Sequence, residues 1–327
     1  MASFRQHGNG WQGRIRRRGY PDITQTFEAK ADAERWARSI ESEMDKGHFI
    51  SVSEAQRTTL GDVIERYLVE VTPRMKSATE DTIRLKALIR KPIAKWSMAN
   101  LSAARVAAFR DERLSEVSAG TVIRELAYVS AIINHARREW GINVPNPVQM
   151  VRKPPSPPAR SRVLTDDEIS VLLKVFEPVG RRSHWVTPIV ELALETAMRR
   201  GELLSLRWEN INLKARTAYL PTTKNGDART VPLSSTALHI LEKLPRHLSG
   251  SVFPMNASAL NAAFKRGLSR SGLEDIRFHD LRRTSITKMA EKIPNVIELA
   301  AVSGHKSLMV LKGYYRPSAS DLALKLG

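Results

Sequence analysis

Residues 279–315 read HDLRRTSITKMAEKIPNVIELAAVSGHKSLMVLKGYY and contain three helical patterns, at 279–292, 295–303 and 307–315. The bounds of the three patterns are approximate. Gly304 follows the second pattern at the position where a helix commonly ends. This part of the chain is therefore predicted to be three short helices that carry basic and aromatic side chains.

The region before these helices is predicted to be mostly helical as well. Residues 165–168, TDDE, form a capping-box sequence that opens an amphipathic helix, and residues 188–197 show a second helical pattern. Two short strands, 216–220 and 229–233, flank Asn225-Gly226, which is a strong hairpin signal. The C-terminal half is thus expected to be helical with one small sheet.

The N-terminal residues 1–46 are predicted to form two strands, 11–18 and 24–27, followed by one helix over 31–46. The first 20 residues contain five arginines and no acidic residue. If Arg14, Arg16 and Arg18 share one face of a strand, they could lie in a groove of DNA. The alternative is a solvated edge strand that its charges protect from pairing with other chains.

Residues 58–143 are predicted to be helical throughout. Ser77-Ala-Thr-Glu80 is another capping-box sequence, and residues 118–140 place apolar residues at helical spacing. Arg124 and Arg137 are expected on exposed faces of this region. They are candidates for DNA contacts, although such charges often do no more than keep a surface hydrated.

Proline marks the clearest boundary in the chain. Six of the 17 prolines fall within 14 residues of the segment 144–162, which is predicted to be an extended connector. A softer boundary lies near residues 47–58. Three domains are therefore expected, 1–57, 58–158 and 159–327, in a mainly α chain with small β-sheets (α+β).

The charge of the chain points to a polyanionic partner. The formal net charge is +18 and the isoelectric point is near 10.4, with excesses of +2, +6 and +10 in the three expected domains. Charge spread over every domain is typical of a protein that contacts a nucleic-acid backbone, although a basic ribosome-associated protein would show it too.

Several classes of protein are excluded by what the sequence lacks. There is no cysteine, and hence no disulfide scaffold and no thiol catalysis. No long apolar run or secretory signal is present, which favours a cytoplasmic protein that does not span a membrane. Gly8, Gly10 and Gly13 spell a dinucleotide fingerprint, but no strand can precede them and arginine-rich strand follows, so this interpretation is rejected.

A spaced set of cations ending in a tyrosine is the strongest functional signal. Attack on a phosphodiester builds negative charge on the phosphate oxygens, and Arg199 and Arg282 could neutralise it in bidentate fashion. His279 lies one helical turn before Arg282, so both side chains can face the same phosphate. The full set is Arg199, Lys224, His279, Arg282, His305 and Tyr314.

Tyr314 is the best-placed nucleophile of this set. The reference pKa of a phenol is about 10, so ionisation at pH 7 costs about 4 kcal/mol, which neighbouring cations would reduce. His279 or another base could accept the proton. Glu202, three residues after Arg199, is expected to orient a cation or a histidine rather than bind a metal.

These residues, in this order and spacing over 162–318, resemble the tyrosine recombinases, or phage-type integrases. The resemblance implies a site-specific recombinase that forms a covalent 3′-phosphotyrosine, with Lys224 as the general acid and no metal or other cofactor. It implies double-stranded DNA as partner at core sites and possibly arm sites, a homo-tetramer acting through a Holliday junction, and possible accessory bending or directionality factors. Residues 58–143 resemble the core-site-binding domain and residues 1–46 an arm-site-binding or AP2-like module.

Some alternatives stay open at this level. Lys beside Asn-Gly is common in solvated hairpin turns, Arg199 could simply cap the helix expected to end at Met198, and Tyr315 could replace Tyr314 as nucleophile. The C-terminal tail, 316–327, could dock onto a neighbouring subunit, as in the family, or onto its own domain. The competing functions are a noncatalytic DNA-binding regulator and a type IB topoisomerase.

Overall fold

The computed structural model describes residues 2–20, 22–45, 52–180, 182–222, 227–311, 313–314, 323 and 326. The chain forms two compact units, Met1–Pro158 and Ala159–Gly327. Both are mostly helical, and each contains one small antiparallel sheet in its described part. The predicted fold class, mainly α with small β-sheets, is confirmed.

The first unit begins with a three-stranded sheet: β1 (Ala2–His7), β2 (Gly10–Ile15) and β3 (Ile23–Phe27), in that order. The expectation that no strand precedes Gly8 is wrong, because β1 does; the dinucleotide fingerprint is still absent, because strand β2 rather than a helix follows. Helix α1 (Lys30–Asp45) covers one face, where Ile15 is fully buried among residues of the helix. Strand β2 ends at Ile15, so the predicted strand through Arg18 is too long. Only Arg14 of the three candidate arginines lies on a strand, and the prediction that all three share one strand face is wrong.

Among the described residues of the first unit, five α-helices follow and build its main core. They are α2 (Val52–Arg57), α3 (Leu60–Glu70), α4 (Ala78–Ile89), α5 (Ala103–Glu116) and α6 (Ala119–Glu139). Helix α6 buries its whole apolar stripe, as its sequence pattern predicts: Val122, Leu126, Val129, Ile132, Ile133 and Ala136. Burial of that stripe, rather than helix propensity, holds the helix in place.

The two predicted capping boxes have different outcomes. At Thr165 the box is present: its hydroxyl accepts the Glu168 N–H while the Glu168 carboxylate accepts the Thr165 N–H. At Ser77 the prediction is wrong, because the hydroxyl makes no capping bond and instead donates to the buried carboxylate of Asp81. Asp81 needs that donor, since burial of a carboxylate without partners is costly.

The proline-rich segment is only partly the extended connector that was predicted. Val144, Val148 and Val151 are buried in the core of the first unit, and residues Pro147–Met150 form a single turn of 3-10 helix. The Asn146 side chain holds this turn by accepting the Val148 N–H and donating to the Ser130 carbonyl. Residues 152–165 contain no regular element.

The second unit contains eight helices and one sheet among its described residues. In chain order the elements are α7 (Asp166–Phe176), α8 (Val186–Thr196), α9 (Arg200–Leu204), β4 (Ile211–Asn212), β5 (Thr217–Leu220), β6 (Arg229–Pro232), α10 (Ser235–Glu242), α11 (Ala257–Ser271), α12 (Phe278–Lys292), α13 (Val296–Ser303) and α14 (Leu308–Leu311). Strands β5 and β6 pair antiparallel, so that Leu220 lies opposite Arg229. The predicted hairpin is confirmed in its strands, while its turn, 223–226, lies outside the described residues.

The last predicted helix is shorter than its pattern indicates. Helix α14 ends at Leu311, not at residue 315, and the Tyr314 N–H donates to the Leu311 carbonyl in the turn that follows. Tyr315 and the tail apart from residues 323 and 326 lie outside the described part of the chain. No helix in the described ranges has both the length and the apolar character needed to span a membrane.

We expect Gly267→Ala to destabilise the second unit. A methyl group at this position would lie 2.1 Å from a ring carbon of Phe176, whose ring stacks on Phe264. Overpacking of this kind costs about 1–3 kcal/mol of unfolding free energy, to be measured by urea denaturation. Gly201→Ala is the matched control, because its methyl group would meet nothing within 4 Å. An unchanged denaturation midpoint for Gly267→Ala would contradict the packing described.

Candidate active site

The end of helix α8 sets the position of Arg199. Ala197 caps this helix in a left-handed conformation, with φ of 52°, which is normally a glycine conformation. The chain reverses there and begins α9 after Arg199, whose N–H donates to the Glu202 carboxylate at 2.8 Å. Arg199 therefore does not cap the helix that precedes it, whose cap is Ala197; it is the N-cap residue of α9, and its guanidinium also reaches the residues described below.

Glu202 is a buried carboxylate shared by two arginines. One oxygen accepts from Arg199 Nη1 and the other from Arg229 Nη2, both at 2.8 Å. Burial raises the pKa of Glu202, but the Arg199 N–H and the Arg229 guanidinium outweigh burial and hold that pKa below its usual value. The carboxylate therefore remains charged at neutral pH and bridges the guanidiniums of Arg199 and Arg229.

Arg282, on α12, is 3% exposed and is anchored by neutral groups. Its Nη1 donates to the Ala197 carbonyl and its Nη2 to the Ser303 carbonyl at 2.6 Å. Burial and the charge of Arg199 lower its pKa to about 10, so it stays protonated at neutral pH. Among the described residues no carboxylate contacts this guanidinium, and its charge is left available to an anion.

Two histidines lie near this charge. His279 lies one turn before Arg282, at the exposed edge of α12, and partial burial together with Arg282 lowers its pKa. His305 follows the left-handed Gly304, which ends α13, and its Nδ1 lies 2.8 Å from the Ser303 hydroxyl. Partial burial and the charge of Arg282 lower the pKa of His305 to about 4. Both rings are uncharged at neutral pH.

Tyr314 is half-buried against these groups. Its ring centroid lies 5.8 Å from that of His305, and the guanidinium carbon of Arg283 lies 4.5 Å from the centroid of the tyrosine ring. The ring also packs against the small core that contains Ala197 and Leu311. The phenol is thus brought beside His305 and a cation.

The structure brings most of the predicted set together. Arg199 Nη2 lies 3.3 Å from the Gly304 carbonyl, which links the first arginine to the turn that carries His305. Arg282 donates to the carbonyls of Ala197 and Ser303. Its charge acts on His279, and Tyr314 is close enough to act on Arg282 in turn. Lys224 and the rival nucleophile Tyr315 lie outside the described residues.

One residue of the cluster, Arg229, was not predicted from the sequence. It begins β6 in the segment Arg229-Thr-Val-Pro232, and its guanidinium reaches both Glu202 and the Val302 carbonyl. The sequence offered one clue to Arg229, namely that it is the first residue of the second strand of the predicted hairpin. Its contacts, however, depend on α9 and α13, which are distant in sequence.

The five candidate DNA-contact arginines all lie in the first unit. Arg14 and Arg16 both donate to one oxygen of Asp22 at 2.7 Å, and these bonds, that from Arg16 first, lower the pKa of Asp22. Arg18, Arg124 and Arg137 are exposed. Across the described part of the chain, no group of three or more His, Asp or Glu side chains is arranged to hold a metal ion.

Comparison with known proteins gives this geometry a context. The model of the phage integrase family matches residues 162–321. A putative integrase/recombinase of Haemophilus influenzae is 36% identical, over 98% of this chain and 89% of that protein. The shufflon-specific DNA recombinase of Escherichia coli is 39% identical, over 83% of this chain and 72% of that protein.

A solved structure shows the same fold. The lambda integrase tetramer bound to a Holliday junction is 22% identical with a TM-score of 0.65, over 94% of this chain and 95% of that chain. Together with the relatives above, this shows that the chain belongs to the phage integrase family and is a tyrosine-type site-specific recombinase. The resemblance drawn from the sequence is confirmed.

The lowered pKa of His305 makes stability depend on pH in a defined direction. Between about pH 6.5 and about pH 4 the unfolded chain binds a proton at this ring and the folded protein does not, so the free energy of unfolding falls as the pH is lowered. We expect His305→Gln to lose less stability over this interval than the wild type, measured by urea denaturation at its two ends. His247→Gln is the control, since His247 is exposed and bonds only locally to Ser249. Equal losses in His305→Gln and wild type would contradict the assignment.

Proposed function

We propose that this protein cleaves and rejoins DNA strands at specific sites through a covalent 3′-phosphotyrosine on Tyr314. One observation carries the proposal. The buried Arg282 has hydrogen bonds to two carbonyls and, among the described residues, no carboxylate in contact, while Arg199 and Arg229 share the single carboxylate of Glu202. A buried charge without an anion is costly, and a DNA phosphate is the anion that fits a site beside a tyrosine.

The proposed chemistry uses the residues of the predicted set. The Tyr314 oxygen attacks phosphorus, the bond from phosphorus to the 5′ oxygen breaks, and the phosphate becomes joined to the tyrosine. Arg199 and Arg282 stabilise the negative charge that grows on the nonbridging oxygens. Either uncharged histidine, His279 or His305, can accept the phenolic proton, and Lys224 gives a proton to the departing 5′ oxygen.

Rejoining reverses these steps with a second strand. The tyrosine ester keeps the energy of the broken phosphodiester, so neither ATP nor a metal ion is needed for the strand to be joined again. The 5′ hydroxyl of the other strand attacks the phosphotyrosine and expels Tyr314. Two successive exchanges of this kind would pass through a Holliday junction and integrate or excise a phage or another mobile element.

The domain roles and the assembly belong to the same proposal. Residues 1–57 would contact arm sites, residues 58–158 core sites, and residues 159–327 would carry out catalysis on double-stranded DNA in the bacterial cytoplasm. Four copies would act together on two duplexes, with an accessory bending or directionality factor where the reaction requires one. The lambda integrase tetramer on a Holliday junction supports this arrangement.

Tyr314→Phe should abolish covalent protein–DNA adducts and leave DNA binding intact, because only the attacking oxygen is removed. The target sequence is first obtained by sequencing the DNA that becomes covalently trapped on the wild-type protein. A nicked duplex of that sequence is then incubated with each variant, and adducts are detected by denaturing electrophoresis. Tyr315→Phe is the matched control and should still form the adduct. Adducts in Tyr314→Phe, or their loss only in Tyr315→Phe, would refute the choice of nucleophile.

The affinity for DNA should depend steeply on salt. If about eight phosphates are neutralised, the logarithm of the affinity should fall with the logarithm of salt concentration at a slope of about −7. Fluorescence anisotropy over a range of KCl concentrations measures this slope, and Tyr314→Phe can serve as the protein because it cannot cleave. A slope near zero would contradict the inference of a polyanionic partner.

A further inference from the structure

Arg229 joins two parts of the site that are far apart in sequence. Its Nη2 donates to Glu202 at 2.8 Å, and Glu202 in turn holds the backbone and guanidinium of Arg199. Its Nη1 donates to the Val302 carbonyl, three residues before His305. The side chain is 12% exposed, so these contacts are largely shielded from water.

The guanidinium of Arg229 also lies against the backbone of Gly304. A Cβ atom on Gly304 would be 2.8 Å from Arg229 Nε and 2.9 Å from its Cδ and Cζ, closer than real Cβ contacts allow. Gly304 has a φ of 68° and its carbonyl accepts from Arg199. The absence of a side chain at Gly304 is therefore what lets Arg229 reach across to the turn before His305.

This arrangement has a cost. Among the described residues, Arg229 Nε is buried without a hydrogen-bond partner, and the positive charge stands close enough to Arg282 and His305 to lower the pKa of each. A buried unpaired donor beside like charges weakens the fold. The contacts that hold the Arg229 guanidinium in place therefore indicate a role in arranging the active-site residues rather than in stabilising the fold.

We propose that Arg229 is a positioning residue for strand cleavage: it ties the turn that carries Arg199 to the turn that carries His305, so that both face one phosphate. The inference rests on the proposed function and extends it to a residue outside the set to which a chemical step is assigned. Arg229 acts through the Glu202 carboxylate on one side and through the Val302–Gly304 backbone on the other.

The test separates binding from chemistry. Arg229→Gln and Arg229→Lys are compared with wild type on the nicked duplex for dissociation constant and for the single-turnover rate of adduct formation at saturating protein. Misplacement of a catalytic group by about 1 Å costs about 100-fold in rate, so the Gln variant should react about 100-fold more slowly, with its dissociation constant within about twofold of wild type. The Lys variant should fall between them, because one ammonium group cannot span both acceptors.

A double variant and a control sharpen the result. If Arg229 acts through Glu202, Arg229→Gln combined with Glu202→Gln should react no more slowly than the slower single variant. Arg207→Gln removes an exposed ion pair with Glu209 in the same unit and should keep the wild-type rate. Circular dichroism melting confirms that each variant is folded.

Three results would overturn the proposal: a wild-type rate in Arg229→Gln or Arg229→Lys, effects of the two Gln substitutions that multiply in the double variant, or failure of both Arg229 variants to fold, which would show a purely structural role. These results differ from failure of the proposed function. In that case wild type itself would form no adduct, or Tyr314→Phe would form one.

Discussion

The bridge that the Glu202 carboxylate forms between two arginines is the interaction on which the site depends. It lies between the guanidiniums of Arg199 and Arg229. The charge of Arg282 is close enough to both arginines that their charges lower its pKa. Without an anion at the centre, these cations would repel each other in surroundings that screen charge poorly. With it, helix α9, strand β6 and the turn after α13 are held together at one place.

The way in which each arginine is anchored separates structure from function in this fold. Arg160 lies between the carboxylates of Asp275 and Asp280, which offset its charge, and Arg113 is likewise paired with Glu116 and Glu125. Arg282 is held by carbonyls, which fix its orientation, and among the described residues no carboxylate contacts it directly. The first kind of contact stabilises a fold, whereas the second keeps a cation ready for a ligand that carries its own charge.

The predictions from the sequence were correct where the local sequence pattern and the local contacts agree. The stripe of α6, the capping box at Thr165 and the strands of the β5–β6 hairpin are determined by neighbours along the chain, and they were predicted from it. The ordered cations and tyrosine could be recognised because their spacing is itself a pattern. The structure then places Arg199, Arg282, His305 and Tyr314 side by side.

The errors have local causes in two cases and a distant one in the third. Ser77 gives its hydroxyl to Asp81 rather than to a helix end, because a buried carboxylate competes for it. Helix α14 ends early, and its apolar pattern gave no sign of that. Arg229 looked like an ordinary strand residue, since its two acceptors, Glu202 and Val302, lie on elements far along the chain.

The hydroxyl of Ser303 decides which nitrogen of His305 carries the proton. It has one hydrogen and gives it to the Leu299 carbonyl at 2.6 Å, so its oxygen accepts from Nδ1 of the ring. An uncharged ring protonated there has a bare lone pair at Nε2 and cannot donate from that nitrogen. To offer a hydrogen bond to a phosphate, the ring must first take up a proton, and the phosphate's own charge favours that uptake. Binding of a DNA phosphate by His305 and uptake of a proton from solution are therefore linked equilibria, so the affinity for DNA depends on pH.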